Sequence, residues 1–425
     1  MSKPADNETG SLYPYIRVLQ ETIMTFFKRI SLLILISFFT TGIFATTFTG
    51  FTGGMLNYSS NDSNLEKYDP DLTLQAFLQG QFNFSDSVWA HTEFSLDTKD
   101  FIDKDFFDAT EAAFQINEMS LTYKTQKTAD TSYYSFFMGT YDPIGSDIFL
   151  RRYFGIQPIA SKLTESWLGM KGSIIYPHFG IGVSAVRKFA ATPLAVGGYA
   201  YINHEDDSHF VFNADLRLAS VTRFLSIDFA GGFGTPVEKN KYEETIASIE
   251  KIYWHAGITA LKGNNYTQSL FIQTGLNNVP MSRQTSTLFN PECIYLLFEP
   301  RFKIQDGHVN LSIYSVPQST ADQLMYVVNP LGVNANIYSD AFTIGSRIFT
   351  IGTNFSLSFA NKNFMDVIDF KGLLSTDKDI SITPYLQTNF ISGTLNAQTS
   401  VKIMKLINKR WFDGITADIG YSTKF

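Results

Sequence analysis

Ile415-Thr-Ala-Asp-Ile-Gly-Tyr-Ser-Thr-Lys-Phe425 is the stretch on which the fold turns. Side chains of a β-strand alternate faces with period two. Ile415, Ala417, Ile419, Tyr421, Thr423 and Phe425 therefore share one face, and Thr416, Asp418, Gly420, Ser422 and Lys424 share the other. The ribbon has an apolar side, a polar side and an aromatic last residue.

The same period recurs upstream. Leu72, Leu74, Ala76, Leu78, Gly80, Phe82 and Phe84 oppose Thr73, Gln75, Phe77, Gln79, Gln81 and Asn83, with Phe77 the one exception. Val88, Ala90, Phe94 and Leu96 oppose His91, Glu93, Ser95 and Asp97; Phe210, Phe212, Ala214, Leu216 and Leu218 oppose Asn213, Asp215 and Arg217. Ile380, Ile382, Leu386 and Phe390 oppose Ser381, Thr383, Gln387 and Asn389, and Leu395, Ala397, Val401 and Ile403 oppose Asn396, Gln398, Ser400 and Lys402. No long stretch shows a helical period. The polar faces are rich in Gln, Asn, Ser and Thr, which suits a wet or hydrogen-bonded interior. Apolar faces meeting lipid require every backbone group to be paired, and only a closed sheet avoids open edges.

Composition agrees. Hydrophobic residues make up 44% of 425 and aromatics 15%, with 39 Phe and 21 Tyr, yet mean hydropathy is −0.03, too polar for a bundle of membrane helices. A net charge of −7 gives no reason to expect nucleic acid as a partner. The single cysteine, Cys293, excludes an intrachain disulfide and a cysteine-cluster metal site. Near the start, Lys28-Arg29 precedes the apolar run Ile30 to Phe44 and then Ala45, the pattern of a secretory signal peptide. This divides the chain into a polar extension over 1–23, attributed to an upstream mis-assigned start, a signal peptide over 24–45 and a single barrel domain over 46–425.

The terminal strand resembles the last strand of bacterial outer-membrane β-barrel proteins, porin-like in the wider pattern. The resemblance implies an all-β chain, a transmembrane antiparallel up-and-down β-barrel. About 18 alternating segments can be counted, and barrels of roughly 16–18 strands enclose an aqueous channel; 14 strands with an internal plug is the alternative. It also implies an outer-membrane location, outer-membrane lipid as surroundings, and Tyr421 and Phe425 as an assembly signal for the barrel-assembly machinery. Homo-trimers are common in such proteins.

Short links such as Ser85-Asp-Ser87 and 126–130 alternate with long ones over 59–71, 98–113 and 142–165, as periplasmic turns and external loops would. Tyr176-Pro-His178, Asp306-Gly307 and Ser392-Gly393 read as further tight links. The order slips between Phe189 and Thr235, through a miscounted strand or an unusually short loop. In Phe114 to Thr125 the apolar phase switches from even to odd, which predicts a β-bulge near Asn117-Glu118.

The connection Asp142-Pro-Ile-Gly-Ser-Asp-Ile-Phe-Leu-Arg-Arg-Tyr-Phe-Gly155 would be the third external loop. In general porins that loop folds into the barrel and narrows it. Asp147, Arg151 and Arg152 are accordingly the candidates for a pore constriction, the two arginines favouring anionic solutes; the alternative is that they decorate an exposed loop. Lys171, Asp215, Arg217, Glu299, Arg301 and Lys303 are candidates for the lumen wall, either as a transverse field or as internal salt bridges; Arg347 is doubtful, because alternation slips at Ile348-Phe349. His204-Glu-Asp-Asp-Ser-His209 is the only run resembling metal ligands and reads as a solvated turn, so no metal and no cofactor is assigned. No nucleophile elbow, phosphate loop or dinucleotide fingerprint is present. His91, Ser95 and Asp97 share a face, but that spacing is common by chance, and no enzyme is expected.

The leading functional expectation is a channel for small hydrophilic solutes. A plugged barrel carrying hydrophobic compounds such as fatty acids is the second, with the glycine-rich Phe48-Thr-Gly-Phe51-Thr-Gly-Gly54 as first strand or lumen insert. A surface adhesin or interaction protein with long acidic loops is the third.

Overall fold

Eighteen strands of the computed structural model form one antiparallel ring: β1 (Thr47–Asn61), β2 (Asp69–Ser85), β3 (Val88–Asp97), β4 (Ala113–Thr125), β5 (Thr131–Thr140), β6 (Phe179–Lys188), β7 (Leu194–Glu205), β8 (His209–Val221), β9 (Leu225–Lys239), β10 (Tyr253–Gly263), β11 (Gln268–Pro280), β12 (Ile294–Ile304), β13 (Gly307–Ser315), β14 (Leu331–Ser339), β15 (Arg347–Phe359), β16 (Lys378–Phe390), β17 (Gly393–Lys402) and β18 (Ile415–Lys424). Two three-residue ribbons, Thr245–Ala247 and Phe342–Ile344, pair onto β9 and β15 beyond the ring. The structure describes residues 47–61, 69–98, 100, 113–126, 129–157, 159–161, 163–164, 175–176, 178–205, 209–239, 245–247, 251–263, 268–281, 290, 293–321, 324, 326–327, 329–360, 362–407 and 414–425. Among them no helix is long and apolar enough to cross a membrane.

The ring closes where β1 meets β18, in register from Phe51 opposite Lys424 to Ser59 opposite Thr416. The quoted terminal stretch is thus the closing strand. Phe425 extends it by one rung: its N–H donates to the Gly50 carbonyl at 3.0 Å and its carbonyl accepts from the Gly50 N–H at 2.9 Å. Its ring meets Phe48 at 5.1 Å, and Phe48 in turn stacks on Phe82 at 4.5 Å. Beside it the Tyr421 hydroxyl donates to the Ile391 carbonyl at 2.6 Å. Deleting Phe425 removes two backbone bonds and one aromatic contact, each worth about 1 kcal/mol. The expected result is a fall of about 1–3 kcal/mol in barrel stability, read as an earlier urea midpoint in detergent micelles.

Alternation decides which way each strand faces. Leu56, Leu78, Leu121, Val183, Leu216, Phe229, Ile313 and Ile351 are exposed on the outside, while the intervening Asn213, Gln273, Asn310, Ser312, Asn334, Asn354 and Thr383 are buried within. The phase switch in β4 is a bulge: Glu93 faces Glu118 but the next residue, Phe94, faces Ile116, leaving Asn117 as the extra residue. Gly139, paired with Glu118, answers that bulge at φ 96°. A Cβ there would lie 2.4 Å from the Asn117 carbonyl oxygen, so only glycine fits.

Several expectations need correction. The 14-stranded plugged alternative fails because Phe48 to Gly54 lies in the wall as part of β1. The slip between Phe189 and Thr235 is a short loop, not a lost strand, since β7 and β8 are separated only by 206–208. Tyr176-Pro-His178 is not a hairpin turn: Tyr176 forms a bridge with Ile144, inside the segment joining β5 to β6. The proposed signal peptide and the extension before it lie outside the described residues.

Candidate functional site: an inserted segment clamped to the wall

Between β5 and β6 the described residues of the segment Tyr141 to His178 pack inside the ring, where Tyr141, Ile144, Phe149, Leu150, Tyr153, Ile159, Leu163, Ile175 and Tyr176 join the buried core. The segment's described part is built around α1 (Ile148–Phe154), ended by Gly155 in the left-handed conformation at φ 67°. Phe149, Leu150 and Tyr153 face inward to a core shared with Phe137, Tyr199 and Tyr201 of the wall and with Phe271, Leu297 and Tyr314 further round. The interior on this side is therefore filled by packed apolar and aromatic side chains. Phe137 and Tyr141 stack at 4.7 Å, and Phe149 meets Tyr153 at 4.6 Å.

An irregular backbone at this depth carries carbonyls that no ladder satisfies, and wall cations supply the donors. Arg217 of β8 donates to the carbonyls of Asp142 and Pro143, pairs with Asp228 of β9 and lies 4.5 Å from the Phe149 ring centre. Lys188 of β6 donates to the Tyr153 carbonyl at 3.0 Å, at the end of α1 where the exposed carbonyls favour a cation. Arg301 of β12 donates to the Ile159 and Ala160 carbonyls at 3.0 and 3.2 Å, while its Nε bonds Glu299 at 2.8 Å. Glu299 also accepts from Ser161 of the segment and from Ser312, the latter at 2.5 Å.

The segment answers with its own cation. Arg152 donates to both oxygens of Glu118 on β4 at 2.8 Å and to Asp142 at 2.6 Å, and its guanidinium covers the Tyr141 ring at 4.4 Å. Asp142 also accepts from the hydroxyls of Tyr199 at 3.0 Å and Tyr153 at 3.2 Å. These pairs are buried, so their partners are held by low dielectric and shape as well as by charge.

The candidates named from sequence thus separate into groups. Arg217, Glu299 and Arg301 face inward and tie the segment to the wall. Asp215 also faces inward, but bonds His255. Arg152 and Asp147 are tied as well: Asp147 accepts from the Ile159 N–H at 2.8 Å and lies 3.9 Å from Arg151. Arg151 differs, with 48% of its side chain exposed. Lys303 sits at the short-turn end, bonded to Asp340 at 2.7 Å. Arg347 is exposed at the same end, beside the Phe390 ring at 5.0 Å. Lys171 lies outside the described residues. Sequence reading missed Glu118, Asp142, Lys188 and Asp228, whose roles arise only when the segment turns inward.

Hydrogen bonds, first from Lys303 and then from His308, hold the Asp340 carboxyl below the ordinary carboxylate range. A depressed carboxylate pKa adds stability above its unfolded value and loses it as pH falls through the folded value. Lys303→Met is therefore expected to lower stability at neutral pH and to make its fall with acid shallower, measured by thermal unfolding at graded acidity.

The other half of the wall is different in kind. Gln75, Gln79 and Gln81 of β2, His91 of β3, Tyr385 of β16, Asn396 of β17 and Thr416 of β18 are half-buried and polar. Tyr385 donates to Asn336 at 2.8 Å, and Gln398 donates to Asp418 at 2.7 Å, a local polar lining. Ser95 donates to Asn117 at 3.3 Å and His91 meets Gln79 at 3.3 Å, so both members of the weak Ser/His pattern are engaged in wall contacts.

No protein-family model and no curated protein matches the chain. Among solved structures it is similar to a triple mutant of Rhodopseudomonas blastica porin, with 11% identity over 89% of this chain and 99% of that chain at a TM-score of 0.44. Another mutant of that porin gives 11% identity over the same shares at a TM-score of 0.42. A chain from a set of engineered proteins of asymmetric conductivity gives 10% identity, again over 89% and 99%, at 0.41. By its own architecture the chain is a large closed antiparallel β-barrel, with described residues of one connection turned inward.

Proposed function

We propose that the protein is an outer-membrane channel for diffusion of small hydrophilic solutes, narrowed by the inserted segment. The observation that carries this is the division of the interior: a packed, charge-tied half from β4 to β13, and a half-buried polar lining of Gln, Asn and Thr on the remaining wall. A lining of neutral amides and hydroxyls offers hydrogen bonds to passing solutes without a fixed charge to trap them. The apolar outer face suits a lipid bilayer, and Tyr421 and Phe425 suit recognition by a barrel-assembly machinery. The single observation that favoured hydrophobic transport, a glycine-rich N-terminal stretch inside the lumen, is gone, because that stretch is β1.

Swelling of liposomes containing the refolded protein, in sugars of graded size, tests the reading. Small sugars are expected to enter and large ones to be excluded; absence of any size dependence would refute it. Selectivity is assigned to Arg151, an exposed cation among the described residues of the segment. Arg151→Glu replaces one positive by one negative charge, and the reversal potential under a salt gradient is expected to move toward cation preference. An unchanged potential would remove Arg151 from the permeation path.

A further inference from the structure

We propose that His178, Asp215 and His255 form a divalent transition-metal site of the zinc class that staples the returning limb of the inserted segment to the barrel wall. His178 is the residue through which the segment re-enters the wall, just before β6, whereas Asp215 stands on β8 and His255 on β10. All three side chains are fully buried. One donor atom from each lies within 4.8 Å of the others.

The geometry fits a metal better than a hydrogen-bonded trio. His178 Nε2 lies 3.2 Å from Asp215 Oδ2, yet neither atom has a hydrogen-bond partner, and His178 Nδ1 and His255 Nδ1 have none either. Buried polar atoms in that state are costly in a folded protein. Ligands about 2.0–2.1 Å from a tetrahedral zinc stand about 3.3 Å apart, which is close to the observed His178–Asp215 separation. A second edge, His255 Nε2 to Asp215 Oδ1, is a 2.5 Å hydrogen bond that a metal would replace with a modest opening. Two imidazoles and one carboxylate are a borderline-soft donor set suited to such ions, with a fourth position left for water.

The surroundings hold the donors in place. Tyr176 stacks on the His255 ring at 3.6 Å. The nearby charge of Arg217 is met by Asp228. His178 is a non-glycine residue at φ 42°, a conformation that persists only where the surroundings impose it. Gly232 leaves room, since a Cβ there would stand 1.6 Å from Asp215 Oδ1.

The test uses full-length refolded protein, stripped with a chelator, dialysed and titrated with Zn²⁺ and separately with Co²⁺. One tightly held ion per chain and the intense visible bands of tetrahedral Co²⁺ are expected. In Asp215→Asn and His255→Ala the affinity should fall by more than the ~10–100-fold that losing an outer partner of a metal ligand costs. His204→Ala/His209→Ala should retain it. If Asp215→Asn or His255→Ala fails to fold, X-ray absorption on the wild-type protein decides, with two imidazoles and one oxygen donor in the shell expected. No stoichiometric ion on the wild type, or binding that follows His204 and His209, overturns the site. The outcome is independent of conductance, so failure here leaves the channel reading standing.

Discussion

Arg217→Met is expected to destabilise the barrel by about 3–5 kcal/mol, the usual cost of removing one partner of a buried ion pair. Methionine fills similar space but leaves the Asp228 carboxylate buried without its cation. It also leaves the Asp142 and Pro143 carbonyls without the donor that reaches them from β8. These carbonyls open the inserted segment, so the damage is local as well as global. Single-channel records of the variant are expected to show larger and noisier openings, alongside the lower urea midpoint. Adding Asp228→Asn should recover part of the stability by removing the stranded charge, but not the quiet openings, because the carbonyls remain unmet. A single variant with wild-type midpoint and wild-type noise would mean that Arg217 does not tie the segment.

Arg152→Met should be of the same size or larger. Arg152 serves two buried carboxylates, Glu118 on the wall and Asp142 at the start of the segment, and its loss leaves both. They are left unequally served: Asp142 keeps two donors, the hydroxyls of Tyr153 and Tyr199, whereas Glu118 keeps one, the Ser120 hydroxyl at 2.8 Å. A double-mutant cycle with Glu118→Gln is expected to show a coupling of about 0.5–3 kcal/mol, the range for residues in one network. Strict additivity in urea unfolding would contradict the pairing. Arg152 and Arg151 are neighbours in sequence but opposite in expectation. The first should change stability with little effect on ion preference, and the second the reverse.

Much of this was legible in the chain because a barrel wall is a local code. Leu72 to Phe84 and Ile415 to Phe425 state their faces residue by residue, and a one-residue slip at Asn117 is visible as a change of phase. For the third long connection the sequence left two readings open, a fold into the barrel as the resemblance to porins implies and an exposed loop. What did not follow was the fate of its charges. Arg151 and Arg152 look equivalent in sequence, yet α1 points one at Glu118 and leaves the other exposed. Asp215, Arg217, Glu299 and Arg301 could be read as a field or as salt bridges, since alternation says only that they face inward. Which partner each meets depends on an irregular backbone that has no period to read. His178, Asp215 and His255 escaped for a related reason: 37 and 40 positions separate His178 from Asp215 and Asp215 from His255, the strand register sets Asp215 and His255 either side of Gly232, and only the returning segment brings His178 to them. The short loop at 206–208 misled the strand order because loop length carries no side-chain period at all.

Single-channel conductance of the refolded wild-type protein in planar bilayers tests the central claim most directly, namely that the clamped segment narrows the barrel without closing it. Stable openings with a linear current–voltage relation are predicted, and Arg217→Met should enlarge them. Protein that migrates as a folded, heat-modifiable barrel yet passes no current would contradict the claim.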